Sequence, residues 1–425
     1  MNKIFLFVFF VTLTTISVGQ NINGRISSSV YSFKRFDSQI FSKNYLRSFQ
    51  TISLNVNKGN VSLRTRLNFE TNIVGKLDQD PRLRFYNLFL TIREIAKVAT
   101  VKIGRQSQFN GVGSGVFDGV NLDLKFKGVK ITGFYGGNVP AYQKLALTDD
   151  WANDYILNGK FEITAINNLK FIGGYVNKHF KSINYFTTRL DANLNPIQVL
   201  IQQNSKQYEF LYGKVYYNLL DEIDLSAKYD YDLNMLSTSK FEAMASYRKI
   251  KKLGLSLYYN YREPRVRYNS IFSVFNYGNT SEIEGGADYK ISKSVSVFGR
   301  FGNVTYRDDS SQRLTIGATT NLGSLSYRKT FGYAGELDAV SVYTAKSFLD
   351  GLITPSLGVS FTSYKLEQDA PSNTLTTILA GINYRPHKFW SFDVQGQYMN
   401  NKIYNNDFRV LFKVNFWFNN NLSLL

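Results

Sequence analysis

The stretch from Phe117 to Gly137, FDGVNLDLKFKGVKITGFYGG, decides how the whole chain is read. From Val120 to Lys127 every second residue is apolar (Val120, Leu122, Leu124, Phe126), and the residues between them, Asn121, Asp123, Lys125 and Lys127, are polar or charged. Successive side chains of a strand point to opposite faces, so the segment has one apolar face and one polar face. Gly128 permits a tight reversal, and Val129, Ile131 and Gly133 against Lys130 and Thr132 restart the alternation. The stretch is predicted to be a β-hairpin.

The same pattern extends in both directions. Upstream, Val61, Leu63, Thr65, Leu67 and Phe69 alternate with Ser62, Arg64, Arg66, Asn68 and Glu70. Downstream, Ile223, Leu225, Ala227, Tyr229 and Tyr231 alternate with Asp224, Ser226, Lys228, Asp230 and Asp232, and two clean strands follow up to Arg262. Further strands are predicted as far as residues 407–418, and the segment from Arg25 to Phe33 reads as a first, poorly alternating one. Helical spacing is not sustained anywhere after the first residues.

The connections fall into two alternating sets. One is short (KGN, EIAK, KG, AINN, LLDE, KIKK, ISKS, LG, LDGL, RPHKF), and the other is longer, polar and variable, with residues 180–206 the longest. Closed outer-membrane barrels alternate short periplasmic turns with longer external loops, whereas a soluble sandwich has no reason to sort its loops by parity. Aromatics, 16% of the chain, gather at strand ends as in KYDYD, LYYNY and FKVNFWF, where interfacial girdles sit. The sequence therefore predicts an all-β fold, a closed antiparallel transmembrane β-barrel of about 22 strands (range roughly 16–24). The alternative is a series of secreted β-domains, but no linker or change of composition divides the 425 residues.

Residues 1–19 read as a signal peptide, with Lys3, an apolar run from Ile4 to Ile16, and Ser17 and Gly19 before a cut ahead of Gln20. Residues 20–425 are then one transmembrane β-barrel domain in the outer membrane, whose strands begin too early to leave room for an N-terminal plug. Cysteine is absent, which excludes disulfides and thiolate metal sites. The formal net charge of +18 is spread along the chain and forms no basic arm for nucleic acid.

Two segments carry a resemblance. Gly104-Arg105-Gln106, then Gly111, Gly113 and Gly115, then Phe117-Asp118-Gly119, resemble the strand end, glycine loop and strand start of porin-type and alginate-export-type outer-membrane channels. Phe408 to Phe418 resembles the aromatic last strand by which such proteins are recognised for assembly, departing from it in the seven residues Asn419 to Leu425 that follow. The resemblance implies an outer-membrane channel.

Catalytic chemistry is sparse. The two histidines, His179 and His387, fall at opposite ends of the predicted barrel, so they share neither a metal nor a catalytic centre, and no cofactor is expected. The polar face remains. Alternation puts the basic residues Arg64, Arg66, Lys125, Lys228, Arg248, Arg262, Arg300 and Arg313 inward as candidate pore-lining residues. Alternation also points Lys102, Lys130, Lys160, Lys240, Arg409 and Lys413 inward, and the inward acids are fewer than this whole basic set: Glu70, Asp123, Glu162, Asp224, Asp230, Glu242, Glu282, Glu284, Asp288 and Asp393. Cross-strand ion pairs absorb part of this set, and unpaired cations in a low-dielectric wall focus a field along a pore. The expected function is a porin-like channel for passive diffusion of small hydrophilic solutes, with a mild preference for anions. The expected partners are outer-membrane lipid and small hydrophilic or anionic solutes. The alternative is a structural or secretion-accessory barrel that binds a protein partner through its external loops.

Overall fold

The computed structural model describes residues 20–36, 42–75, 80–109, 113–139, 145–181, 185–190, 195–201, 207–265, 278–307, 309–332, 336–365, 370–402 and 406–422. The signal peptide expected over residues 1–19, and Gly111 of the glycine loop, lie outside them.

The first strands are β1 (Gln20–Phe36), β2 (Ser42–Lys58), β3 (Val61–Val74), β4 (Arg82–Ile95), β5 (Ala99–Gln108), β6 (Gly115–Phe126), β7 (Val129–Val139), β8 (Tyr155–Ile163) and β9 (Leu169–His179). Next come β10 (Tyr185–Leu190), β11 (Pro196–Ile201), β12 (Tyr208–Leu219), β13 (Ile223–Asp232), β14 (Ser237–Tyr247), β15 (Leu253–Arg262), β16 (Thr280–Lys290) and β17 (Val295–Tyr306). The last are β18 (Asp309–Thr320), β19 (Gly323–Gly332), β20 (Leu337–Ala345), β21 (Ile353–Tyr364), β22 (Asn373–His387), β23 (Trp390–Asn400) and β24 (Asp407–Leu422).

Twenty-two of these form one antiparallel sheet in which each strand pairs with its sequence neighbour. β1 pairs with β2 on one side and with β24 on the other, which closes the sheet into a barrel and leaves no edge. β10 and β11 pair only with each other, and β9 pairs directly with β12 across them. Residues 180–206, read from sequence as a polar loop, thus contain a separate hairpin between those two strands. The tail that follows the last aromatics is not a departure from the wall: Asn419 to Leu422 continue β24 and pair with Asn23 to Gln20.

The longest connections gather at one end of the barrel, as the sequence predicts, although that end also holds short turns. The hairpins β2–β3, β6–β7 and β18–β19 turn within a few residues at the end where β1 starts and β24 ends. The long links β7–β8, β9–β12 and β15–β16 lie at the other end, where β17–β18 is nevertheless a short turn.

Exposure identifies the two faces. On β6, Asn121 and Asp123 are 6% and 9% exposed, whereas Val120 and Leu122 between them are 41% and 38% exposed. In a closed barrel the crowded side is the concave interior and the uncovered side is the exterior. The exterior row is apolar around the ring: Ile103, Leu225, Leu257, Ile283, Ile316, Val342, Val359, Ile382 and Phe412 are all exposed. A polar lining with an apolar outer belt is the inverse of a soluble barrel and requires hydrocarbon outside. No helix among the described residues is long and apolar enough to span a membrane.

Candidate functional site: the interior of the barrel

The hairpin β6–β7 begins the inner wall. Asp123 lies 3.2 Å from Lys102 and 3.4 Å from Lys130, and accepts a hydrogen bond from Thr132 at 2.7 Å. These partners come from β5 and β7, so one carboxylate braces three strands. The pattern repeats where Glu162 meets Lys170 at 2.7 Å and where Glu70 lies 3.6 Å from Arg47 and 3.5 Å from Arg84, whereas Glu242 pairs with Lys240 of its own strand.

Toward the long-loop end the interior also holds apolar side chains. Phe117, Phe134 and Ile156 form a buried cluster, with the two rings stacked at 4.8 Å, and Val176 and Phe210 form a second. Phe117 has the same parity as Asn121 and Phe134 the same as Thr132, so alternation does point them inward although they are apolar. Two long-loop segments pack onto the second cluster. Gly113, at φ +74, lies so close to Val176 that a Cβ would collide with its methyl group, while Lys178 Nζ donates to the carbonyl of Ser114 at 2.8 Å. From the link after β15, Arg265 lies over the Phe210 ring at 5.6 Å and pairs with the fully buried Asp230, which Lys228 approaches at 3.4 Å. Part of the glycine-rich loop therefore folds into the lumen and narrows it.

The resembling motif is a single structural unit. Arg105 pairs with Asp118 through two contacts of 2.7 and 2.8 Å, in register across β5 and β6. Gly104, at φ +123, faces Gly119, and the amide of Gln106 donates to the carbonyls of both. Gly104 and Gly119 share the inner face with Phe117, whereas Arg105 and Asp118 belong to the outer row with Ile103 and Val120. The pair is shielded there by a strap, residues 145–154. The backbone N–H of Thr148 donates to Asp118 at 3.0 Å, the Ala146 carbonyl accepts from Arg105 at 3.0 Å, and Tyr135 donates to the Trp151 carbonyl at 2.7 Å. Sequence reasoning had no signal for this strap.

The eight candidate residues take different places. Arg64, Arg66, Lys125, Lys228, Arg300 and Arg313 lie on the inner rows, and Arg262 ends β15 on the same face. Arg248 follows β14 at the short-turn end, 3.4 Å from Asp224, whereas Arg262 stands at the opposite end of the wall. Arg300 holds Asp288 at 2.7 Å, and Arg313 bridges Glu282 and Glu284. Among the described residues, Arg64, Arg66, Lys125 and Arg262 have no carboxylate within ion-pair distance. Arg66 lies over the Tyr86 ring at 5.8 Å. Arg25, Lys170 and Lys214 join the inner face without having been singled out, because β1 alternates poorly and the face of β12 is set by its pairing with β13. His179 stacks on Tyr155 at the long-loop end, and His387 lies tilted against Phe389 at the short-turn end.

A closed barrel with an apolar belt, a charged lining and sorted loops is an outer-membrane β-barrel. The chain is similar in fold to several solved structures. The Escherichia coli P pilus tip assembly intermediate PapC-PapD-PapK-PapG gives a TM-score of 0.51 at 9% identity, covering 95% of this chain and 62% of that one. The P pilus usher PapC translocation pore gives 0.47 at 10% identity (93% and 99% covered), and Acinetobacter baumannii OccAB1 gives 0.44 at 9% (94% and 96%). At such identities the likeness concerns the fold alone. No protein-family model matches the sequence, and no curated protein does.

Proposed function

We propose that the barrel is a porin-like channel of the outer membrane, passing small hydrophilic solutes by diffusion with a mild preference for anions. The observation that carries this reading is the imbalance of the lining. Of the ten inward acids named from sequence, all except Asp393 are engaged by a Lys or Arg, and Asp393 accepts from Asn383 and Asn415. Arg64, Arg66, Lys125 and Arg262 remain without such a partner among the described residues. Unmatched cations in a low-dielectric wall raise the local concentration of anions. In this reading the short turns face the periplasm, the long loops face outward, and the chain is a channel rather than an enzyme.

Single-channel recording in planar bilayers tests it. The expected result is an open channel with a chloride-favouring reversal potential in dilute KCl. That preference should shrink at 1 M, where the Debye length is only about 3 Å. Changing Arg64, Arg66 and Arg262 together to Glu should move the potential toward cations. The rival reading, a barrel that serves a protein partner, draws on the hairpin β10–β11, which pairs with no barrel strand. It requires a pore that stays closed when the protein is alone.

A further inference from the structure

The seam where the first and last strands meet brings together cations that the sequence does not group. Register places Trp417 beside Arg25, Arg25 beside Ser53, and Ser53 beside Arg66, so the four form one row across β24, β1, β2 and β3. Each lies two residues from a buried polar side chain (Asn415, Ser27, Thr51 and Asn68), and the row therefore points inward. Lys388, from the turn between β22 and β23, joins Arg25 and Arg66 around a cavity of about 650 Å³. Arg385 lies over the Trp417 indole at 5.6 Å. Asn23, Asn419 and Ser53, with Phe389, Phe418 and Gly24, complete the lining, which contains no carboxylate among the described residues.

Three cations around one cleft with no acid among its lining residues repel one another unless an anion is shared between them. Strands two apart are separated by roughly 10 Å, so Arg25 and Arg66 can reach a single small ligand from opposite sides. Guanidinium forks match the oxygens of phosphate and carboxylate, and several converging cations favour the multivalent ion. We propose that this cleft is a binding site for a phosphate-type oxyanion, free or carried on a solute, at the short-turn mouth of the barrel. Its place in transport rests on the channel reading, but its binding does not.

Trp417 reports on the site directly. In the full-length protein carrying Trp151→Phe and Trp390→Phe it is the single tryptophan, and iodide is both an anion and a quencher. Each unmatched cation within about 4 Å enriches iodide by about fivefold in a water-like medium. Iodide should therefore quench Trp417 far more than neutral acrylamide does. Inorganic phosphate should relieve that quenching in the millimolar range, beyond chloride at equal ionic strength. Arg25→Gln with Arg66→Gln should abolish the excess quenching and the phosphate effect, whereas Arg300→Gln, on a distant strand, should leave both. Phosphate acting no better than chloride, or acting undiminished on the double variant, would overturn the site. A protein that binds phosphate but passes no current would keep the site and reject the channel.

Discussion

The wall from β5 to β9 and the wall from β16 to β22 are built from the same alternating strands, yet they differ in thickness. The first is covered on both sides: Phe117, Phe134, Ile156 and Val176 are buried within the lumen, and the strap 145–154 lies against the exterior. Along the second, Gly302 and Ser311 are the only buried residues among those described, and the outer row from Ile283 to Ile382 stands bare. A β-sheet one strand thick has no core of its own. Where loops fold back on it, side chains acquire the burial of a soluble protein, and where they do not, lipid and water must supply the contacts.

The largest effect expected from this difference concerns the ion pairs. Arg105 and Asp118 have side chains 4% and 3% exposed, against 26% and 51% for Arg300 and Asp288. Removing one partner of a buried pair leaves an uncompensated charge, so Asp118→Ala should cost about 3–5 kcal/mol. Denaturant titrations of folding into lipid vesicles measure it. A cost near that of a surface pair would mean that water already reaches Asp118 beneath the strap.

A second test concerns the bare wall. Val359, midway along β21 on the outer row, should cost about 2–4 kcal/mol when changed to Arg if it lies at the bilayer midplane. Ser360→Arg, one residue along and facing the lumen, should be tolerated far better in the same titration. Equal costs would reject the assignment of faces.

The smallest effect on stability is expected at Arg300. Its pair with Asp288 is half-exposed, and Arg300→Ala should cost about 0–1 kcal/mol.

The strap also carries a titratable tie. Lys181, 2.6 Å away, donates to Asp150 and holds its carboxyl below the usual carboxylate range, and the same contact raises the Lys181 ammonium. A depressed carboxyl contributes above its ordinary pKa and loses its contribution as pH falls through the folded value. The raised ammonium contributes below its ordinary value and loses its contribution at high pH. Trp151 fluorescence, with Trp390→Phe and Trp417→Phe, should be flat from about pH 5 to 9 and change below about pH 4. A transition near neutrality would show that this tie does not govern the strap.

The barrel was legible from the chain because its two causes are local. Alternation at Val120–Lys127 follows from strand geometry, and the parity of loop lengths follows from having two different solvents at the two ends. The same alternation put Arg300 and Arg313 on the inner face, but their neutralisation by Asp288, Glu282 and Glu284 depends on side-chain reach across strands. Arg248 and Arg262 lie on sequential strands and read as neighbours, although roughly 30 Å of wall separates them, at about 3.3 Å per residue.

The sequence by itself determined the period of the strands, the closed architecture that such a chain needs in a membrane, and the inward direction of the charges on its cleanly alternating strands. Only the tertiary structure decided which loops fold in and which fold out. Gly113 of the glycine loop packs onto Val176 within the lumen, whereas residues 145–154 close over Arg105 and Asp118 from outside. The first is glycine-punctuated and the second, LALTDDWAND, contains no glycine, and neither has a period to read. Their course is set by a hydrogen bond or a methyl contact with a strand far along the chain. Closure of the seam is of the same kind. Arg25 and Trp417, nearly 400 residues apart, become neighbours because the last strand must satisfy the first, and no local pattern in either segment announces the other.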